Sequence, residues 1–267
     1  MKRKIKQVLL LFVMLFYIVI ETGCYIYNGM TMASPHYIQR YSIQPKPVNT
    51  VRIGYGGGSG FNALETMEFE HPNLDISEIG NIKWDYSVDE PYVLWQAGKQ
   101  WDLGVGLNTD SKTTGNEVWI TKGMTLSSMI NHSNPMQWLQ HASLSQFSWT
   151  KKGYQSTIDY HDWDAIAEEY RFTYSHLFGS NPMDYYIHWG GGPLMSFSFI
   201  RLKSRLNDEP FVEYYRKKIF PGIRWFVSFK TGNMQVGFEQ ITLWPLIDEN
   251  ISWNAGATFS FDIFRKK

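Results

Sequence analysis

From Ile251 to Phe264 the chain reads I-S-W-N-A-G-A-T-F-S-F-D-I-F. Ile251, Trp253, Ala255, Ala257, Phe259, Phe261 and Ile263 fall on one side of an extended backbone. Ser252, Asn254, Gly256, Thr258, Ser260 and Asp262 fall on the other. A strand repeats its side-chain direction every second residue, so this segment is a strand with one apolar face and one face of small polar residues. The signature recurs from Gln100 to Asn108, where Trp101, Leu103, Val105 and Leu107 oppose Asp102, Gly104, Gly106 and Asn108. It recurs again from Pro221 to Lys230, where Ile223, Trp225, Val227 and Phe229 oppose Arg224, Phe226, Ser228 and Lys230. Shorter alternations at Val51–Tyr55 and Leu194–Lys203 follow the same rule.

Between these segments the punctuation of Gly, Asn, Asp and Pro predicts further elements. The glycines of Gly56–Gly60 are expected to break the first strand, and Leu64–Glu70 and Ile82–Val88 read as strands. Glu117–Gly123 is a strand; Thr125–Ala142 is the least strand-like stretch, with Asn134-Pro135 opening a short helix. Ser143–Thr150 and Gly153–Tyr160 read as two strands with Lys151-Lys152 at the turn. Asp162–Glu169 reads as one helical turn, Gly190–Pro193 as a turn, and Asp208–Lys218 as a charged external excursion. The total is about ten to twelve antiparallel strands joined by short turns, with no long helix.

The character of the two faces separates a barrel in lipid from a sandwich in water. A soluble sandwich turns its apolar face inward and shows long charged residues to water. Here the faces opposite the apolar rows are rich in Gly, Ser and Asn, with scattered charge. A tilted strand crosses a bilayer in roughly nine to eleven residues, apolar side to lipid and polar side to the interior. The expected fold is therefore all-β, an antiparallel up-and-down transmembrane β-barrel. Trp101, Leu103, Val105, Trp225, Val227, Phe229, Trp253, Phe259 and Phe261 are expected to face lipid. Arg52, Asp102, Arg224, Glu239 and Asp262 are expected to face the lumen, because a charge on the lipid side is costly. Inside, such charges either pair and plug the interior or line a passage.

The N-terminus reads as an export signal. Lys2, Arg3, Lys4 and Lys6 precede the apolar run Val8–Ile20, which is too short for a spanning helix. Gly23-Cys24 then resembles a bacterial lipoprotein signal, which implies lipidation at Cys24; Glu21 stands where that signal has an aliphatic residue. The expected organisation is an export signal over 1–24, a proline-bearing tether over 25–49, a barrel over 50–264 and a basic tail over 265–267. Cys24 is the single cysteine, so neither a disulfide nor a thiolate metal cluster can form within the chain.

Composition adds two points. Lys and Arg equal Asp and Glu at 25 each, which argues against nucleic acid as a partner. Aromatic residues make up 16% of the chain, as suits the Trp and Tyr girdles of barrels and also aromatic-rich sugar-binding sandwiches.

Asn254-Ala255-Gly256-Ala257-Thr258-Phe259-Ser260-Phe261 resembles the C-terminal targeting strand of bacterial outer-membrane β-barrels. The departure is Arg265-Lys266-Lys267, which follows Phe264 where such strands commonly end on an aromatic. The resemblance implies residence in the bacterial outer membrane. It also implies contact with membrane lipid and lipopolysaccharide, and recognition of Asn254–Phe261 by the barrel-insertion machinery. The competing reading is a periplasmic or surface lipoprotein, a sandwich or lipocalin-like module binding a sugar or lipid.

Candidate chemistry is sparse. His132-Ser133-Asn134 is similar to the His and Ser of some outer-membrane phospholipases and lipid A deacylases. Those lie two apart on one strand face, whereas here they are adjacent and diverge. His132 and Ser133 are thus weak catalytic candidates, for a barrel-embedded lipid hydrolase. His141, His161, Asp162, Asp164, Glu168 and Glu169 lack metal-ligand spacing, so no metal and no cofactor is expected. Asp208, Glu209 and Glu213 beside Arg216, Lys217 and Lys218 form a mixed-charge patch suited to a surface loop, or to contact with lipopolysaccharide or divalent ions. The expected role is structural, adhesive or narrow-pore, without catalysis.

Overall fold

The computed structural model describes residues 49–62, 86–114, 117–132, 139–158, 161–180, 187–207, 210–231, 233–244 and 252–264. These form ten strands: β1 Val51–Asn62, β2 Tyr86–Gln96, β3 Trp101–Thr114, β4 Glu117–His132, β5 Leu139–Ile158, β6 His161–Ser180, β7 Ile187–Leu206, β8 Val212–Thr231, β9 Met234–Leu243 and β10 Ser252–Phe264. Each strand pairs antiparallel with the next, and β1 pairs with β10 through Arg52↔Asp262 to Asn62↔Ser252. The fold is an all-β, up-and-down barrel in which, among the described residues, every strand is paired on both sides.

β1 starts and β10 finishes at the same end, here the terminal end; the other is the far end. Strands β5 to β8 have 20 residues each, against 10 in β9. The wall is therefore tall on one side. Along most strands burial alternates strictly, as in β9, where Gln235, Gly237, Glu239, Ile241 and Leu243 are buried. In a closed barrel those side chains point inward and the alternate ones outward.

Several sequence expectations give way to longer strands. β1 runs through Gly56–Gly60 without a break. Lys151-Lys152 lies within β5, Asp162–Glu169 within β6, and Thr125–His132 within β4. Val212–Lys218 opens β8 rather than forming an excursion. The helix expected at Asn134-Pro135 and the strand at Leu64–Glu70 lie outside the described residues, and Ile82–Val88 is described only from Tyr86, in β2. Polar residues and glycine mark turns in soluble sheets because loops are solvated. In a barrel wall they mark the inward face or a boundary level instead.

Gly190–Pro193 shows the reason most directly. It lies in β7, not in a turn. A Cβ at Gly190 would sit 2.5 Å from the Phe178 carbonyl oxygen and 2.6 Å from the Phe226 ring. At Gly192 it would overlap the His176 carbonyl. These glycines let β6, β7 and β8 approach and give the Phe226 ring its place. Pro193 has no N–H to donate, and the β6–β7 ladder skips His176 and Leu177 there.

Candidate functional site

Buried side chains from several strands meet inside the barrel. Phe226 of β8 packs in one apolar cluster with Met129 of β4, Ala142 and Leu144 of β5 and Leu177 of β6. Leu194, Phe220, Ile241 and Leu243 form a second cluster from β7, β8 and β9. Charges fill the remaining space in pairs. Arg224 Nε lies 2.8 Å from Glu239 Oε1, with side chains 1% and 3% exposed. Arg224 Nη2 donates to Gln146 Oε1 of β5, across the barrel. Arg52 donates to Asp262 with Nε at 2.7 Å and Nη2 at 3.0 Å, and to Gln235 with Nη1. Arg171 Nε donates to Glu169 Oε1 at 2.7 Å, and Ser198 donates to the same oxygen.

The outward face of β4–β8 is organised in register rows. Leu126, Phe147, Phe172, Phe197 and Ile219 stand opposite one another across five strands, all exposed. Four residues towards the far end, the row is Lys122, Lys151, Glu168, Arg201 and Tyr215. Six residues from the apolar row towards the terminal end lie His132, His141, Phe178, Gly191 and Trp225. The two outer rows are thus about ten residues apart, roughly 33 Å along the strand and roughly 25 Å in height at the usual barrel tilt. That height matches the apolar band of a membrane barrel. Other strands continue it with Ile53, Tyr55, Val93, Trp95, Leu107, Phe238 and Ile263, all exposed.

Charged residues cluster above the band. Glu213 meets Lys203 Nζ at 2.6 Å and Arg201 Nη2 at 2.9 Å, and Tyr215 donates to it at 2.8 Å. These bonds, from Lys203, Tyr215 and Arg201, hold its carboxyl down at about 2. Arg205 Nε donates to Asp164 at 2.6 Å.

One patch interrupts the apolar band. On β4, β5 and β6, near the terminal end, the outward side chains include His132, His141, Ser143, Ser145, Tyr174 and His176, with Ser128 beside them and the exposed Ile130 opposite Ser143. His132 Nε2 lies 2.8 Å from Ser143 Oγ, and Ser143 Oγ lies 3.1 Å from the Tyr174 hydroxyl. The His132 ring is 5.0 Å from that of His141 and 6.1 Å from that of His176. Trp101 Nε1 donates to Ser128 Oγ at 2.7 Å.

No protein-family model and no curated protein matches the chain in sequence. Solved structures do match in shape. The translocator domain of the autotransporter NalP from Neisseria meningitidis aligns with a TM-score of 0.50 at 7% identity, over 80% of this chain and 87% of that one. The outer membrane protease OmpT from Escherichia coli aligns at 0.42 with 8% identity, over 85% and 99%. The attachment invasion locus protein of Yersinia pestis aligns at 0.38 with 13% identity, over 80% and 97%.

This chain has the fold of a bacterial outer-membrane β-barrel.

In this barrel Arg52, Asp102, Arg224 and Glu239 are buried, and the Asp262 side chain is 12% exposed beside Arg52. Trp101, Val105, Phe259 and Phe261 are exposed; Leu103, Trp225 and Phe229 are partly exposed. Val227 differs: it belongs to the outward row yet is 3% exposed, flanked in register by Trp189 and Phe238. The side chain of Trp253, and all of Cys24 and Ser133, lie outside the description. His132 ends β4 and lies within hydrogen-bond distance of Ser143 of the next strand. Glu168 and Glu169 diverge, the first outward to Trp149 and Tyr170, the second inward to Arg171. Among the described residues no three His, Cys, Asp or Glu side chains converge on a metal position. Alternation in the sequence puts Phe226 on the inward face, but nothing in it shows that Met129, Leu144 and Leu177 of other strands meet the ring there, because that contact depends on closure.

Proposed function

We infer that this chain is a bacterial outer-membrane protein with a sealed interior, working through its surfaces as a structural or adhesive barrel rather than as an open pore. The observation that carries this reading is the packing of Phe226 with residues of β4, β5 and β6 inside the barrel. The ring is 4% exposed and packs with residues from three other strands, as a plugged interior requires.

Lipid is the natural surroundings of the exposed row Leu126, Phe147, Phe172, Phe197 and Ile219, since large contiguous apolar surfaces in water mark interaction sites. Above it, Lys122, Lys151, Arg201, Lys203 and Arg205 offer cations where the phosphates of lipopolysaccharide lie. Asn254–Phe261, in β10, is the segment that the insertion machinery would bind.

The test is electrical and electrophoretic. Reconstituted in a planar bilayer, the folded protein should give no steady conductance, and its unboiled band should migrate differently from the boiled one on a denaturing gel. Stable single-channel steps would overturn the sealed interior. A monodisperse protein in detergent-free buffer would overturn the membrane reading.

A further inference from the structure

We propose that the outward patch around Ser143 is a catalytic site that cleaves acyl esters of membrane lipids. The proposal rests on the membrane reading for its substrate but not for its chemistry.

Three observations converge. The first is the bond itself: His132 Nε2 lies 2.8 Å from Ser143 Oγ, the distance at which an imidazole acts as base for a serine. The residues sit on different strands, His132 at the end of β4 and Ser143 near the start of β5, so the pair exists only in the folded wall. The second is another hydroxyl beside the nucleophile. The Tyr174 hydroxyl, 3.1 Å from Ser143 Oγ, can turn its hydrogen to an oxygen bound at the same carbon. The third is position. Ser143 lies two residues inside the row of His132, His141 and Phe178, roughly 7 Å along the strand from the edge of the apolar band. The boundary between headgroup and hydrocarbon is the depth at which the ester groups of a glycerolipid lie.

The patch has no other evident purpose in a lipid-facing wall. Its counterparts in the same rows on β7 and β8 are Met195, Pro193, Pro221 and Ile223. Polar side chains in that layer are costly unless partnered; His132, Ser143 and Tyr174 form one chain of contacts, while His141 Nδ1 is buried without a hydrogen-bond partner and Tyr174 is exposed.

The step is hydrolysis, with water as co-reactant. Ser143 Oγ attacks the ester carbonyl carbon while His132 Nε2 accepts the hydroxyl proton. Tyr174 donates a hydrogen bond to the developing oxyanion. The bond from the carbonyl carbon to the alcohol oxygen then breaks, and His132 returns its proton to that oxygen, releasing a lysolipid. Water attacks the acyl-serine, His132 takes and returns a proton, and a fatty acid leaves with Ser143 restored. No electrons change hands.

The experiment uses the full chain in detergent, with two substrates: a short-chain nitrophenyl ester, and phosphatidylethanolamine in mixed vesicles. A fluorophosphonate probe reports the nucleophile directly. Fatty-acid release is expected from the wild type, with label found at Ser143 by peptide mass. Ser143→Ala should abolish labelling and lower release at least about a hundredfold, as should His132→Gln. Tyr174→Phe should lower kcat about a hundredfold with KM little changed. Each variant is checked for the heat-dependent gel shift, and only folded protein is scored. Folded wild type that releases no acid from either substrate and takes no label overturns the proposal, as does activity that survives Ser143→Ala. Failure of the membrane reading has a different signature: activity on the short-chain ester in a protein soluble without detergent.

Discussion

Arg224 of β8 is hydrogen-bonded to Gln146 of β5 across the barrel, past the two strands that separate them in the wall. The same guanidinium holds Glu239 of β9. One buried cation thus ties three strands together inside. Arg224→Ala should cost about 3–5 kcal/mol, because it leaves a carboxylate buried without its arginine. Arg224→Met with Glu239→Leu should recover much of that loss, since apolar replacements of similar size remove both charges at once. Urea midpoints in detergent micelles, followed by tryptophan fluorescence, measure both.

Phe226→Ala should cost about 3–5 kcal/mol in the same assay, by leaving a cavity among Met129, Leu144 and Leu177. If the ring is the seal, the variant should also conduct in a planar bilayer where the wild type does not.

Asp262 and Arg52 close the barrel at β1 and β10, but they are not equivalent. The Arg52 side chain is 2% exposed; that of Asp262 is 12% exposed and also has Lys230 at 3.6 Å. Asp262→Ala leaves a buried guanidinium with the neutral Gln235 and no carboxylate, whereas Arg52→Ala leaves a carboxylate that keeps a cation and some water. The first should be the more damaging, by about 1–2 kcal/mol, as the lower urea midpoint will show.

Gly192→Ala places a methyl group against the His176 carbonyl of the neighbouring strand. Backbone cannot yield as a side-chain end can, so β6 and β7 cannot keep their spacing there. The variant should lose the heat-dependent gel shift at temperatures where the wild type retains it.

Glu213 sits above the apolar band with a carboxyl held at about 2, well below its ordinary 4.5. A depressed carboxyl contributes its stabilisation fully above 4.5 and loses it as pH falls through about 2. The cluster with Lys203, Tyr215 and Arg201 should therefore persist at pH 3. Lys203→Ala removes the largest of these contributions and should move the Glu213 titration, read by carbonyl NMR, back towards 4.5.

Much of the wall was legible one strand at a time. Trp101, Val105, Phe259 and Phe261 alternate with Asp102, Gly104, Thr258 and Ser260, and alternation is local: it follows from the backbone's two-residue period alone. The lengths of β5 to β8 were not legible, because Lys151-Lys152 and Gly190–Pro193 carry the composition of turns. What holds them extended is the neighbouring strand, through the close approach of β6 to β7 and the match of Lys151 to Glu168 across the ladder.

The same divide separates composition from constellation. The amino-acid sequence by itself determined that the chain makes an all-β barrel with apolar faces, since each strand encodes its own two sides. Only the tertiary structure decided what those sides enclose and display. Closure brings Phe226 against β4, β5 and β6, and strand register sets His132 beside Ser143, 11 residues on in the chain. Register is a relation between distant segments, and a shift of one residue would turn every side chain to the opposite face.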